Sequence, residues 1–170
     1  MPNWCSNRVT VWSDNEEAMK EFKEAVKLYG DGIVQQCFSL EAILPMPEEL
    51  HTVQSPVKIM TEEELKEYKE KNSHVRLGSL PITQETSDRL DALYGDNNWY
   101  DWANTNWGVK WDCSDVSAQE EYGDTEIVYR FDTPWGPPTP MYDLLVAKFP
   151  EVHISWFWDE PGMELAGYLK

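Results

Sequence analysis

Residues 7–13, Asn-Arg-Val-Thr-Val-Trp-Ser, alternate strictly, with Val9 and Val11 on one side and Arg8, Thr10 and Trp12 on the other. A period of two is the mark of a half-buried strand, because successive side chains leave a pleated backbone on opposite faces. Helical signals follow at once. Ser13-Asp14-Asn15-Glu16 reads as a capping box, with the Ser hydroxyl and the Glu carboxylate satisfying amides at a helix start. Ala18, Met19, Phe22, Ala25, Val26 and Tyr29 then recur at helical spacing, and Gly30 stands where a left-handed residue ends a helix. A strand apolar on one face and a helix apolar along one stripe each need a cover, so the chain must fold in layers.

Further elements can be read along the chain. Phe38 to Leu44 reads as a short strand closed by Pro45 and Pro47. From about residue 48 to 95 the character changes. Thr61-Glu62-Glu63-Glu64 is a second capping box, and Glu62/Lys66 and Glu67/Lys71 are favourably ordered pairs one turn apart. Only Leu65 and Tyr68 anchor that helix, which predicts a solvated insertion. Helices are also expected at 83–94 and 98–107. Val109, Trp111 and Cys113 alternate with Lys110, Asp112 and Ser114, and Ile127, Tyr129 and Phe131 alternate with Val128 and Arg130. The acidic link from Glu120 to Asp124 makes these two an antiparallel hairpin. Thr139-Pro140 reads as an N-cap followed by a first-turn proline, and Met141, Leu144, Leu145, Lys148 and Phe149 continue that helix up to Pro150. Val152, Ile154, Trp156 and Trp158 form a strand, which Glu160-Pro161-Gly162 turns into a last one ending near Leu169.

With the insertion set aside, the order is strand, helix, strand, strand, helix, strand and a terminal partner strand. That order predicts an α+β class, a ferredoxin-like sandwich with two helices on one face of an antiparallel sheet. Residues 1–170 form a single domain in this reading, with a helical insertion at about 48–95. The expected core holds Val9, Val11, Phe22, Val26, Ile127, Tyr129, Leu144, Leu145, Ile154 and Trp156.

Composition removes several classes of function. Against 14 Lys and Arg the 170 residues carry 31 Asp and Glu, a formal charge of −17. Direct nucleic-acid binding draws most of its affinity from cations on phosphates, and anionic membranes attract polybasic segments, so neither is expected as a partner. A hydrophobic content of 41% is too high for disorder in spite of the charge. Cys5, Cys37 and Cys113 are odd in number and widely spaced, which points to free thiols. His51, His74 and His153 lie far apart and no CxxC or HxxxH pair occurs, so no structural metal is expected. Phosphate-binding Gly-rich loops and nucleophile elbows are absent, and no cofactor is expected. Met1 to Thr10 has no apolar signal core and the chain has no run of about 18 apolar residues, so the expected location is the cytoplasm of a host cell.

Three segments carry a resemblance: Met1-Pro-Asn-Trp-Cys-Ser-Asn7, Asn106-Trp-Gly-Val-Lys-Trp-Asp112 and Phe131-Asp-Thr-Pro-Trp-Gly-Pro-Pro138. In combination they resemble the YubB-like ferredoxin-like family of small phage and plasmid proteins. The likeness covers roughly 1–45 and 98–170, and Val109 stands where that family more usually has Thr. It implies a ferredoxin-like fold and a mobile-element origin, and it carries no catalytic assignment.

Two readings of the chemistry stay open. In one, the chain is a non-enzymatic accessory protein that binds and modulates a host protein. Trp135 in its Pro/Gly corner either grips that partner or lids the core. Asp115, Glu120, Glu121 and Asp124, on a hairpin offset only by Lys110, either imitate a phosphate track for a host defence or nucleic-acid enzyme or form a solvated acidic face. In the other reading, a pocket of Asn3, Trp4, Cys5, Asn106, Trp107 and Lys110 serves a small enzyme or ligand-binding protein, with Lys110 lowering the Cys5 thiol. Against that pocket, Trp4, Trp107 and Trp111 read equally as core anchors, and Asn3, Asn7 and Asn106 as partners of backbone groups.

Overall fold

The alternation at the N-terminus is a strand, and it is the central one. The computed structural model describes residues 3–72, 78–120 and 123–170, without the side chains of 120 and 123. His74 and Glu121 therefore lie outside the described residues, as does the side chain of Glu120. In chain order the elements are β1 (Trp4–Trp12), α1 (Glu16–Ala25), β2 (Leu28–Gly30), β3 (Ile33–Gln36), α2 (Leu40–Ile43), α3 (Glu48–His51), α4 (Glu62–Lys71), α5 (Gln84–Tyr94), α6 (Trp99–Asn106), β4 (Ser114–Glu120), β5 (Glu126–Pro134), α7 (Thr139–Lys148), β6 (His153–Glu160) and β7 (Leu165–Tyr168). They fall into two compact units, Met1–Pro45 with Asn106–Lys170, and Met46–Thr105.

The first unit is built on a five-stranded sheet ordered β4-β5-β1-β6-β7, with every pairing antiparallel. On β1, Cys5, Asn7, Val9 and Val11 are buried, whereas Trp4, Ser6, Arg8 and Trp12 are exposed. The buried face carries an aromatic core. Phe22 of α1 meets Tyr129 and Phe149, and Phe38 stacks on Phe131 with centroids 4.8 Å apart. Trp156 closes edge-on against Phe38, Phe131 and Tyr142. Each such ring contributes roughly 1.5–3 kcal/mol by leaving water. With β1 flanked by β5 and β6 and two helices on one face, this is the ferredoxin-like α+β arrangement. Of the expected core, Leu144 and Ile154 are only half-buried, and the other eight residues are buried.

Several local readings need correction. The N-cap of α1 is Asn15, which accepts from the amides of Glu17 and Ala18; Ser13 instead donates to Glu151 O at 2.6 Å. Helix α1 stops at Ala25, and Gly30 lies in a hairpin of β2 and β3. Asp31 (φ 51°) and Gly32 (φ 76°) form its two-residue turn, the left-handed pair whose twist suits a hairpin. Phe38–Leu44 holds the short helix α2, because Ser39 accepts from Ala42 N as an N-cap. Residues 109–113 are not a strand, and β4 begins only at Ser114. The cause is Asp112: its carboxylate accepts from Ser39 Oγ, Leu40 N and Cys113 N at 2.5–2.7 Å, which ties that stretch to α2 rather than to a ladder. Helix α7 begins at Thr139 with no side-chain cap.

The second unit is mostly helical, joined by parallel bridges between Val53 and Leu80 and between Ile59 and Ile82. Leu50, Val53, Ile82, Leu90, Trp102 and Ala103 are buried. Helix α4 has no buried residue and carries the capping box at Thr61 and Glu64. Glu49 accepts two bonds from Arg89 at 3.1 and 3.2 Å and one from the Tyr94 hydroxyl. The Arg89 guanidinium, more than the Tyr94 bond, holds its carboxyl below the usual range.

Candidate functional site

Asn7 is the hub of a buried polar chain at one end of the sheet. Its Nδ2 donates to Cys5 O at 2.9 Å and to Thr133 Oγ1 at 2.8 Å, while its Oδ1 accepts from Trp156 Nε1 at 2.9 Å. The Thr133 hydroxyl in turn donates to Gly136 O at 2.7 Å. Beside it, the Trp135 amide donates to Asn3 O at 2.8 Å. These bonds fix the loop between β5 and α7 from both sides.

Trp135 sits on that loop with φ at +73° and half of its surface exposed, so it is not a lid on the core. A bulky residue in the left-handed region carries about 1–3 kcal/mol of strain, tolerated where the surroundings over-determine the backbone. Here the Asn3 and Asn7–Thr133–Gly136 bonds do so. The product is a half-exposed Trp135 on a backbone held at Asn3 and, through Thr133, at Gly136.

Other candidates gather at the same end. Trp4 is opposite Pro134 in the β1/β5 register and is 40% exposed. Strand β4 enters there, with Ser114 opposite Asp132, and Trp111 just before it is also exposed. Trp4 and Trp111 are therefore not core anchors. Trp107 is one: it is buried, and its Nε1 donates to Leu44 O at 2.9 Å.

Asp115 is exposed at the Trp135 end, with φ at +51° beside a β-bulge. It lines a groove of about 320 Å³ on the sheet face that carries Arg8, together with Arg130, Asp132, Phe157 and Asp159. Asp124 lies at the other end of the hairpin, 4.0 Å from Lys23. At about 3.4 Å per residue, β4 separates the two by roughly 20 Å. Asp115 and Asp124 thus occupy different surroundings, one among arginines and one beside a lysine.

The pocket residues divide as well. Cys5 is fully buried, and burial pushes its thiol up to about 11, with smaller raising contributions from Glu160 and Asp159. At neutral pH such a thiol is protonated and a poor nucleophile. Lys110 places its ammonium 3.9 Å from the Trp111 ring centroid. Asn106 ends α6 and is half-buried. Asn3 is half-buried, and its carboxamide lies so close to Gly162 that a Cβ there would sit 2.5 Å from Nδ2 and 2.8 Å from Glu160 Oε1. Glu160 was legible only as a turn residue. It is fully buried; Oε2 accepts from Met163 N at 2.6 Å, and Oε1 has no hydrogen-bond partner among the described residues. Among the described residues no three His, Cys, Asp or Glu side chains gather as a metal site, and no helix is long and apolar enough to cross a membrane.

Residues 106–170 match the family model for the ferredoxin-like domain in Api92-like protein. That stretch holds β4, β5, α7, β6 and β7. The crystal structure of the protein api92 from Yersinia pseudotuberculosis aligns with a TM-score of 0.50 at 12% identity, covering 99% of this chain and 93% of that one. At that identity the likeness concerns the fold. None of the curated proteins compared with the chain matches it.

Proposed function

We propose that this chain is a YubB-like accessory protein of a phage or plasmid that, without catalytic turnover, grips a host protein through the Trp135 end of its sheet and modulates it. The observation that carries this reading is the half-exposed indole of Trp135 on a strained but fully anchored loop. Tryptophan is the residue type most enriched among binding hot spots, and a ring already held in place loses little freedom on docking. The formal charge of −17 adds long-range attraction for a basic partner such as a defence or nucleic-acid enzyme. The enzymatic alternative is less supported, since the Cys5 thiol is buried and protonated.

The test immobilises the chain and its Trp135→Gly variant, in which glycine keeps the left-handed backbone. Both are exposed to host lysate after thermal melts have established equal folding. A host protein retained by the parent and released by the variant supports the reading. Capture of the same proteins by both overturns it.

A further inference from the structure

We infer that the outer edge of β4 is a docking site for an extended, cationic segment of a partner protein, added to the sheet as a further strand; this rests on the reading of the chain as a protein-binding module. Among the described residues β4 has β5 as its one neighbour in the sheet order, so alternate amides and carbonyls along its other side have no described strand partner. Natural proteins blunt such an edge with charged side chains, Lys above all, with Pro, with a bulge or with a covering loop. The edge Ser114–Glu120 contains neither Lys nor Pro. Asp115 and the bulge between Ser114 and Ser117 guard its start, while Ser117–Gln119 runs in regular register with no charged residue.

Side-chain recognition is available next to that edge. A groove of about 440 Å³ is lined by Val34, Gln35, Gln36 and Cys37 on one side and by Cys113, Asp115 and Val116 on the other. Gln36 Nε2 donates to Cys113 O at 3.0 Å and closes one end of it. The flanking ribbon of β2 and β3 leaves Tyr29, Ile33 and Val34 exposed, by 46%, 67% and 43%. A two-stranded ribbon showing three large apolar side chains is marginal alone, and a strand laid in the groove would cover part of that surface. Main-chain bonds to the edge would then supply affinity, and the groove would supply selectivity for alternate side chains.

The charge identifies the occupant. Asp115 is the one charged residue lining the groove; it also borders Arg8 and Arg130 on the sheet face, and the formal charge of −17 adds the long-range attraction for a cationic segment. The matching segment alternates aliphatic residues, for Val34 and Val116, with Lys or Arg, for Asp115.

The probe is a synthetic peptide of alternating Val and Lys as long as β4, compared with a peptide of equal charge in which every Val is Pro. The second peptide attracts a −17 protein equally but cannot pair as a strand. Amide exchange of the whole chain should slow in Ser117–Gln119 with the first peptide and not with the second. Ala118→Lys, at an exposed edge position, should weaken the first peptide by about tenfold, because a Lys there hinders strand pairing and repels the peptide's own lysines. Val34→Thr, which keeps the strand-forming shape, should weaken it with the melt unchanged. Equal affinity for the two peptides, or no protection in β4, overturns the inference. Loss of host-protein capture with Trp135→Gly would persist in that event, so the two readings fail separately.

Discussion

Replacing Asn7 by Ala takes a hydrogen bond from three groups together: the Trp156 indole N–H, the Cys5 carbonyl and the Thr133 hydroxyl, of which the last keeps its bond to Gly136 O. A buried group left without its bond costs about 1–3 kcal/mol, so a loss of roughly 2–4 kcal/mol is expected for the variant in urea unfolding. A change within about 0.5 kcal/mol, the range of surface substitutions, would mean that these groups find other partners. Cys5 gives a second expectation at this scale. Its thiol ionises near the ordinary 9.0 in the unfolded chain and near 11 in the native state. Between those values the unfolded state binds fewer protons than the native one, so stability falls as pH rises from about 9 to 11 and levels off above. Burial raises Cys113 as well and acts in the same direction. Cys5→Ala should flatten part of that decline; an unchanged slope of stability against pH would show that the thiol ionises as readily folded as unfolded. The backbone bond of Asn7 was legible in the sequence, and its side-chain partners were not. Asn7 reaches Thr133 and Trp156 across 126 and 149 residues, a distance that local pattern does not bridge.

Elements with a dominant local signal were legible, and those decided by a distant partner were not. The alternation of β1 and the capping box of α4 both depend on residues within one turn or one pleat of each other. Asp31-Gly32 also carried a local signal, the pair whose left-handed turn makes a hairpin, but helical spacing up to Tyr29 concealed it. The segments around α2 and before β4 failed for a physical reason. Phe38–Leu44 and Val109–Cys113 both have strand composition, and the Asp112 carboxylate overrides it by taking the Ser39 hydroxyl and the Leu40 amide at the start of α2. Asp112→Ala should therefore uncouple the two segments and cost about 2–3 kcal/mol, the range for bonds to an ionised acceptor. Faster amide exchange at Leu40–Leu44 with β1 unaffected is the expected pattern. Uniform destabilisation without local opening of α2 would contradict that coupling.

At the scale of the whole molecule, a formal charge of −17 on 170 residues guides encounters, and its placement determines which carboxylates matter. Neutralising Asp115, Glu120, Glu121 and Asp124 together by Asn or Gln should slow association with a basic partner more than it speeds dissociation, since peripheral charges act on the on-rate. The geometry divides that effect unequally. Asp115 lies at the end of the sheet that presents Trp135, whereas Asp124 lies roughly 20 Å away along β4 and within 4.0 Å of Lys23. At ionic strength near 0.15 M the Debye length is about 8 Å, so a charge at the far end contributes little at the docking face. Asp115→Asn should reproduce most of the loss in on-rate seen with the fourfold change, and Asp124→Asn should do almost nothing. Near 1 M salt, where the Debye length falls to about 3 Å, all of these proteins should associate at one common rate. The Asp115 and Asp124 substitutions, both at exposed positions, should leave the melt in place, since surface changes of this kind shift stability by no more than about 0.5 kcal/mol. Equal effects of Asp115→Asn and Asp124→Asn, measured by surface plasmon resonance at low salt, would show that the partner reads the whole hairpin as one acidic track and that Trp135 does not mark the centre of the contact.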